Sequence, residues 1–143
     1  MQLTITRLDK TLPLPKYETA GAVAFDVYAR ETISVAPRAI ALIPTNLVVQ
    51  IPEGYALLLA SRSSTPKKKG LSIPHGIGII DQDYCGPQDE LKAQVYNHGT
   101  EQVTIERGER IAQALIVPIQ RVEIVEREFS TTESRGGFGS TGS

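Results

Sequence analysis

Short apolar runs interrupted by proline or glycine dominate this sequence and restrict the folds open to it. Many of the runs alternate apolar with polar residues, and β-branched side chains are frequent in them. Such alternation indicates strands, and proline or glycine at the end of a run indicates a turn. The runs are LTIT, TISVAP, ALIPT, LVVQIPEG, YALLLA, IGIID, LKAQVYN, QVTIERG and IAQALIVPI. The pattern predicts an all-β chain.

The number and spacing of these runs favour a jelly-roll-like β-sandwich or barrel. No uninterrupted helical stripe is long enough to cover a parallel sheet, which argues against the α/β classes. One short helix is predicted to begin at Ser63 and Ser64, whose hydroxyls can cap exposed backbone donors, and to end at Gly70. A chain of 143 residues is long enough for one core and too short for two ordinary domains.

The composition changes near residue 127. Eleven of the fourteen residues from 130 to 143 are Gly, Ser or Thr, and such a segment cannot offset its ordering entropy by burial. We therefore expect a β domain over residues 1–126 and a flexible C-terminal arm over residues 127–143. A frayed tail is the ordinary interpretation of the arm. However, Arg135 and Phe138 add a charge and a stacking face to the glycine amides and hydroxyls, as a lid over a phosphate and a base requires.

Net charge and cysteine content restrict the classes of binding partner and the cellular compartment that we expect. The formal net charge of -1 gives no broad attraction to nucleic acid or to an anionic membrane. No window approaches the roughly 20 apolar residues of a membrane-spanning helix. Cys85 is the only cysteine, and the N-terminus has no basic region followed by a long apolar run. We expect a soluble, cytoplasmic protein with no direct nucleic acid or membrane partner.

Two stretches in the first half of the chain place charged residues at apolar runs. In AVAFDVYA, Asp26 interrupts a strand, although a lone strand aspartate is usually a turn or edge feature. In ASRSSTPKKKG, Arg62 offers a fork for phosphate, and Ser63 and Ser64 offer neutral donors together with the amides of the following turn. A solvated basic loop explains the second stretch equally well.

The stretch HGIGIIDQDYCG carries the most information about chemistry. Gly76 and Gly78 leave room for a ligand against the backbone, the two isoleucines bury the strand, and Asp81 follows with Tyr84 three residues on. A buried carboxylate beside an aromatic ring suggests activation of water next to a sugar or base. A simple turn between strands is the alternative.

A fourth interior stretch, ERGERIAQALIVP, joins a tight turn to a strand with one amide. Gly108 makes the turn, and Gln113 is the polar residue in an otherwise apolar run. A lone glutamine in a strand is more often a residue of the outer surface, so the stretch alone does not indicate a site.

Taken together and in this order, the four stretches and the tail resemble the five motifs of the trimeric dUTP pyrophosphatases (dUTPases). The resemblance covers residues 24 to 142, and its most specific part is the combination of GIGIIDQDY, RGERIAQ and RGGFGSTG. It implies a jelly-roll-like fold, hydrolysis of dUTP to dUMP and pyrophosphate, Mg²⁺ as cofactor and a homotrimer. It also implies a role in limiting uracil in DNA and in supplying dUMP for dTMP synthesis.

The resemblance implies roles for the residues nearest the reaction. Asp81 resembles the carboxylate that activates the water attacking the α-phosphorus, and Gln113 resembles the residue that helps to hold this water. Tyr84 resembles the ring that lies under the deoxyribose and excludes a 2′-hydroxyl. Asp26 resembles a carboxylate that acts on the metal through water, while Mg²⁺ is held mainly by the triphosphate.

Other residues are implied to bind the substrate. Arg62, Ser63 and Ser64 match a phosphate-binding segment, provided that Ser64, which replaces a common glycine, does not require a positive φ. Uracil would be bound by a β-hairpin that begins near His75 and returns near Lys92. The remaining implied contacts are Ile79 and Ile80 at the sugar, Phe138 on uracil, and Arg135, Gly137, Gly139, Ser140 and Thr141 in the lid over the phosphates.

Two other functions, a dCTP deaminase and a non-enzymatic binding protein, are alternatives to the dUTPase, and the resemblance also implies a trimer. The dCTP deaminases share the fold, but their general-base glutamate corresponds to Gln94 here, which cannot act as that base. A non-enzymatic β-sandwich that binds a partner through its tail would show no nucleotide turnover. In the trimer that the resemblance implies, the tail of one subunit caps the site of another, and the alternating VEIVE segment is suited to strand exchange or edge pairing.

Overall fold

A computed structural model describes residues 1–129 together with Glu133 and Gly136. Within these residues the chain forms eleven strands and one short helix, which confirms the predicted all-β class. The strands are β1 (Thr4–Arg7), β2 (Phe25–Tyr28), β3 (Ile33–Val35), β4 (Ile40–Pro44), β5 (Leu47–Gln50), β6 (Tyr55–Ser61), β7 (Leu71–Ser72), β8 (Ile77–Ile80), β9 (Lys92–Asn97), β10 (Val103–Ile105) and β11 (Arg110–Pro118). The helix is α1 (Thr65–Lys69).

The strands form two larger sheets and two short ladders. The four-stranded sheet has the order β2-β11-β6-β8, and the three-stranded sheet has the order β4-β9-β7. Strands β1 and β5 form one ladder, and β3 and β10 form the other. Every pairing is antiparallel. Strands β6 and β11 form the centre of the four-stranded sheet.

One hydrophobic core joins the two larger sheets. Val27 and Leu57 of the four-stranded sheet and Ile43 and Leu71 of the three-stranded sheet are completely buried in it. Burying one such side chain stabilises the fold by about 1.5–3 kcal/mol. The apolar halves of the alternating runs therefore face inward, as their period of two predicts.

Helix α1 lies where the sequence predicts it. Gly70 ends it in a left-handed conformation with φ of 65°, and its N–H donates to Pro66 O at 2.9 Å. Ser64 is the N-cap residue but makes no side-chain capping hydrogen bond, so the expected hydroxyl cap is wrong. Its φ of -85° is one that any residue adopts, and serine therefore replaces glycine there without strain.

Residues 122–126 form no strand in the chain described, and Val122 and Ile124 are exposed there, so pairing of this segment with another chain stays a prediction. One local expectation differs from the structure, since strands β8 and β9 do not pair with each other as the expected hairpin. Instead, β8 pairs with β6, and β9 pairs with β4 and β7.

Candidate active site

The residues expected to act on the substrate lie at the two opposite ends of β6. Arg62 directly follows the last residue of this strand. At the other end, the ladder between β6 and β8 stops at the pair Leu57 and Ile80, so Asp81 follows beside Ala56. Residue 56 and residue 62 are six positions apart, which corresponds to about 20 Å along a strand. We call these places the arginine end and the aspartate end of β6.

At the arginine end, Asp26 binds two arginines. Asp26 Oδ1 accepts a hydrogen bond from Arg62 Nε at 2.8 Å, and Asp26 Oδ2 accepts one from Arg110 Nη1 at 3.2 Å. The Asp26 side chain is only 12% exposed, whereas that of Arg62 is 25% exposed and that of Arg110 is 45% exposed. One carboxylate therefore fixes two guanidinium groups, and the cluster keeps a net positive charge for an anion.

Gln113 of β11 belongs to the arginine end. It lies opposite Asp26 on one side and opposite Ala60 of β6 on the other. Its Nε2 donates to Ser61 O at 2.9 Å, so the amide holds the carbonyl that directly precedes Arg62. Ser61 Oγ in turn accepts a hydrogen bond from Ile73 N at 3.1 Å. These bonds hold the segment that carries Arg62 against its neighbours.

The two serines after Arg62 remain available to a ligand. Ser63 is exposed, Ser64 is half-buried, and the Ser64 hydroxyl makes no capping bond. Helix α1 spans only five residues, and a single turn has a weak dipole. The Ser63 and Ser64 hydroxyls and the Arg62 guanidinium would therefore contribute more to binding an anion than the helix dipole does. Of the three lysines in α1, Lys69 donates to Glu109 Oε2 at 2.8 Å rather than being only solvated.

At the aspartate end, residues 81–84 form a turn closed by a hydrogen bond from Tyr84 N to Asp81 O at 3.3 Å. The turn borders a cleft of about 430 Å³ whose lining includes Tyr55, Asp81 and Asp83. Asp81 is exposed in this chain, which corrects the expectation of a buried carboxylate. None of the hydrogen bonds within the described residues occupies the Asp81 carboxylate, so it is free to accept a proton.

The hydroxyl of Tyr84 is bound to the backbone of Glu90, a residue whose buried carboxylate pairs with Arg30. The Tyr84 hydroxyl donates to Glu90 O at 3.1 Å, while the Tyr84 ring is partly exposed. Glu90 is buried and accepts two hydrogen bonds from Arg30, at 2.8 and 3.0 Å, and one from Asn46 N at 2.8 Å. The Glu90 carboxylate also raises the pKa of Arg30 above its usual value. The loop that carries Tyr84 is therefore anchored to the rest of the sandwich.

The glycines before Asp81 have different roles from those expected. Gly76 adopts a φ of 80° in a turn in which its N–H donates to Ile73 O at 3.1 Å, so a positive φ explains this glycine. A Cβ on Gly78 would lie 3.3 Å from Leu59 Cβ, so this glycine allows β8 to approach β6. Close strand packing, rather than room for a ligand, accounts for Gly78.

The other expected substrate contacts lie on the surface. Ile79 is 67% exposed, which corrects the expectation that both isoleucines are buried, and Ile80 is half-buried. His75 and Lys92 are exposed, and His75 O accepts a hydrogen bond from Ile77 N at 3.0 Å. The expected residues of the arm, Arg135, Gly137, Phe138, Gly139, Ser140 and Thr141, lie outside the described residues.

The side chains at the arginine end are compatible with a magnesium ion that is bound through water. No group of three His, Cys, Asp or Glu side chains in the described part of the chain is arranged to hold a metal by itself. Both Asp26 oxygens bind arginine, yet a carboxylate oxygen has a second lone pair that can accept a hydrogen bond from a metal-bound water. Because Mg²⁺ retains several waters in most protein sites, this donor set is compatible with it.

Three residues that support the site were missed by reasoning from the sequence. Arg110, in the same RGERIAQ stretch as Gln113, is the second arginine on Asp26. Glu90 anchors the loop of Tyr84, and a glutamate two residues before a strand gives no local signal of burial. Gln82 donates to two backbone carbonyls, which alternation of apolar and polar residues cannot reveal.

Comparisons with known proteins agree with this geometry. The family model for dUTPase matches residues 10–142. A deoxyuridine 5'-triphosphate nucleotidohydrolase from Hydrogenobaculum sp. is 39% identical over 145 residues, which cover 99% of this chain and 99% of the relative.

In the described part of the chain, no helix has the length and apolar character needed to cross a membrane.

Solved structures show the same fold. The dUTPase of Staphylococcus bacteriophage 80alpha with dUPNHPP is 32% identical, covers 99% of this chain and 98% of its own, and superposes with a TM-score of 0.84. A dUTPase from phage phi11 of S. aureus, described for its coordination of a structural Mg(II) ion, is 27% identical with a TM-score of 0.80, covering 91% of this chain and 99% of its own. The jelly-roll fold of such structures confirms the predicted fold class. The chain therefore belongs to the dUTPase family of enzymes.

Proposed function

We propose that the protein hydrolyses dUTP to dUMP and pyrophosphate. The observation that carries this proposal is the free Asp81 carboxylate, held on a closed turn at the edge of a cleft in a chain of the dUTPase family. A carboxylate without a competing hydrogen bond can take a proton from water, and a fixed turn keeps it in one direction.

In the proposed reaction, Asp81 accepts a proton from the attacking water. The water oxygen forms a bond to the α-phosphorus, and the bond from this phosphorus to the bridging oxygen of the β-phosphate breaks. Pyrophosphate leaves with the electrons of that bond, and dUMP remains. Gln113 helps to hold the water, and its Oε1 is the atom suited to accept a hydrogen bond from it, since Nε2 is engaged with Ser61 O.

The arginine end of β6 would bind the triphosphate. Arg62 is oriented by Asp26 and retains donors on its terminal nitrogens, while Ser63 and Ser64 add hydroxyl donors. When Mg²⁺ is bound, it neutralises charge that develops on the leaving pyrophosphate. Asp26 would contact the metal only through water, and the triphosphate oxygens would hold it.

The aspartate end would bind the deoxyribose and the base. The Tyr84 ring lies under the sugar and leaves no space for a 2′-hydroxyl, and its anchored hydroxyl keeps the ring in place. Ile79 and Ile80 border the sugar, and the exposure of Ile79 makes it available for this contact. Uracil is bound by backbone groups between His75 and Lys92.

The complete site would form between chains of a homotrimer. The two ends of β6 are about 20 Å apart along one strand, so the free carboxylate and the phosphate-binding arginine of one chain do not face the same phosphate. A second copy that supplies the missing end solves this problem. The exposed apolar side chains after β11, Val122, Ile124 and Val125, supply surface that such a contact can bury.

The C-terminal arm, residues 127–143, would close over a site in a neighbouring subunit. Phe138 would stack on uracil, and Arg135, Gly137, Gly139, Ser140 and Thr141 would hold the terminal phosphates. We expect a chain truncated after Glu133 to retain its melting temperature and to lose about tenfold or more in turnover, since a lid contributes positioning and no core. Loss of folding on truncation would instead make the arm structural.

In the cell, this activity would limit the incorporation of uracil into DNA and would supply dUMP for dTMP synthesis. We place the enzyme in the cytoplasm, where its nucleotide substrate is formed. Its partners would be dUTP and two further copies of the same chain.

The test is pyrophosphate release in the presence of Mg²⁺ from dUTP, UTP, dTTP and dCTP, with ammonia measured in the dCTP sample. Turnover of dUTP well above that of the other three supports the proposal. Ammonia from dCTP would show a deaminase, despite Gln94 at the position of the base. No turnover of any of the four would favour a binding protein that uses its tail for a partner.

A further inference from the structure

Gln82, the residue directly after Asp81, is half-buried and donates two hydrogen bonds to backbone carbonyls. Its Nε2 lies 2.9 Å from Tyr55 O and 3.3 Å from Pro52 O. A primary amide has two N–H donors, so one nitrogen can serve both acceptors. The amide nitrogen of Gln82 is therefore bonded to the backbone at the start of β6 and not to water in the cleft.

The segment that receives these bonds is itself a closed turn. Tyr55 N donates to Pro52 O at 3.2 Å, and Gly54 has a φ of 78°, as the third residue of a type II turn requires. Pro52 also restricts the backbone at the start of this turn. Gln82 is thus attached to a rigid part of the fold, at the point where β6 begins.

The strand register shows what the Gln82 amide replaces. In the antiparallel ladder of β6 with β8, Leu57 lies opposite Ile80, and the backbone pairing ends there. Two more residues in the same register would bring Tyr55 opposite Gln82. The Gln82 side chain makes the contact to Tyr55 that the backbone no longer makes, and Asp81 lies between the last backbone pair and this side-chain contact.

We propose that Gln82 is a positioning residue for Asp81, because it fixes one side of the turn that carries the carboxylate, while the ladder of β6 with β8 fixes the other side. The inference rests on the proposed function, in which Asp81 takes the proton of the attacking water. Gln82 touches neither substrate nor water in this role. Its effect is on the direction of the Asp81 side chain in the cleft, which both residues border.

The chemistry of the contact decides which substitutions test it. Gln82→Met keeps the length of the side chain and removes both donors. Gln82→Glu replaces them with a carboxylate that can only accept, and it would face two carbonyl oxygens. Gln82→Ala is the second variant in case the larger side chains disturb folding. The matched control is Gln88→Met, at an exposed glutamine of the same loop.

The experiment measures kcat and KM for dUTP, together with the melting temperature, for each Gln82 variant in the wild-type and in the Asp81→Asn background. We expect kcat to fall about tenfold in the wild-type background with KM nearly unchanged, because the carboxylate is misdirected while the substrate contacts remain. In the Asp81→Asn background we expect almost no further loss, since a residue that acts through Asp81 has nothing left to position.

Each outcome decides between the two proposals. An equal fold-loss in both backgrounds, or wild-type kcat in Gln82→Met and Gln82→Ala, overturns the role of Gln82 while leaving that of Asp81 intact. Near-normal turnover of Asp81→Asn alone overturns the proposed mechanism and the positioning role with it. A loss in the Gln88→Met control equal to that in Gln82→Met would show a general effect of the loop and would also overturn the inference.

Discussion

At one end of β6 the Asp26 carboxylate lies between the guanidinium groups of Arg62 and Arg110, whereas at the other end the Asp81 carboxylate is exposed in a cleft. Asp26 uses both of its oxygens to hold positive charges in place. Among the described residues, none binds the side-chain oxygens of Asp81, which is held only through the backbone and its neighbours. The first arrangement suits a group that binds an anion, and the second suits a group that must accept a proton.

This contrast has a physical basis in what each task requires. An arginine that binds phosphate must keep its charge and adopt one side-chain conformation, and a buried carboxylate partner favours both. A general base must remain unpaired in the ground state, because a strong hydrogen-bond donor on its oxygens would lower its proton affinity. The protein therefore fixes Asp26 by charge and the Asp81 turn by neutral hydrogen bonds.

The largest effect is expected for Asp81→Asn. Turnover of dUTP should fall at least ~10²-fold with binding of a non-hydrolysable analogue retained, because an amide cannot take the proton of the attacking water. Pyrophosphate release and calorimetric binding measure the two quantities. The control is Glu53→Gln, which removes a negative charge from an exposed residue in the turn before β6. If Asp81→Asn turns over at nearly the wild-type rate, the aspartate end does not supply the base.

Arg62→Ala should lower kcat/KM for dUTP by about tenfold to a hundredfold, because charge-assisted hydrogen bonds to an anion contribute about 1.5–3 kcal/mol. Most of the effect should be in KM, in contrast to Asp81→Asn. Asp26 keeps Arg110 as a partner, so the fold should persist. The control is Lys68→Ala at an exposed position of α1. A loss confined to kcat would contradict the proposal that the arginine end binds the triphosphate while the aspartate end supplies the base.

Co-expression of the Asp81→Asn and Arg62→Ala chains sharpens the comparison by joining one intact end from each. If each site takes its arginine end and its aspartate end from different chains, the co-expressed sample as a whole regains about a quarter of wild-type turnover, as random assembly of equal amounts requires. The control is the same pair of proteins expressed separately and combined without unfolding. Activity of the co-expressed sample no higher than that of its parents would mean that both ends act within one chain.

The smallest effect is expected for Asp9, a carboxylate that is held by hydrogen bonds as Asp26 is but lies away from β6. Hydrogen bonds from the Thr11 hydroxyl, from Arg107 and from Thr11 N hold the pKa of Asp9 well below its usual value of 3.8. Because the pKa is lowered by folding, the contribution to stability is present above about pH 4 and is lost as the pH falls further.

The measurement is the urea midpoint of the wild type and of Asp9→Asn at about pH 6 and about pH 3. The two proteins should differ slightly at the higher pH, and the difference should be smaller at the lower one. The exposed position of the pair with Arg107 keeps the difference small. A difference that grows as the pH falls would contradict the lowered pKa.

The sequence by itself determined the class of fold, the position of nearly every strand and the family. Alternation along YALLLA and IAQALIVPI predicts strands because a pleated chain buries every second side chain, and this is a local property. Gly70 and Gly108 mark real turns with positive φ for an equally local reason. The order of the motifs then indicated the dUTPase family, which the family model confirms.

Only the tertiary structure decided which strands pair and what each functional side chain touches. Strand β3 pairs with β10 and β4 with β9 across long stretches of sequence, and β8 joins β6 instead of returning against β9. Such pairings depend on how two sheets cover one core, which no short window of sequence contains. For the same reason the second arginine on Asp26, the attachment of Gln82 to the start of β6 and the exposure of Asp81 followed only from packing.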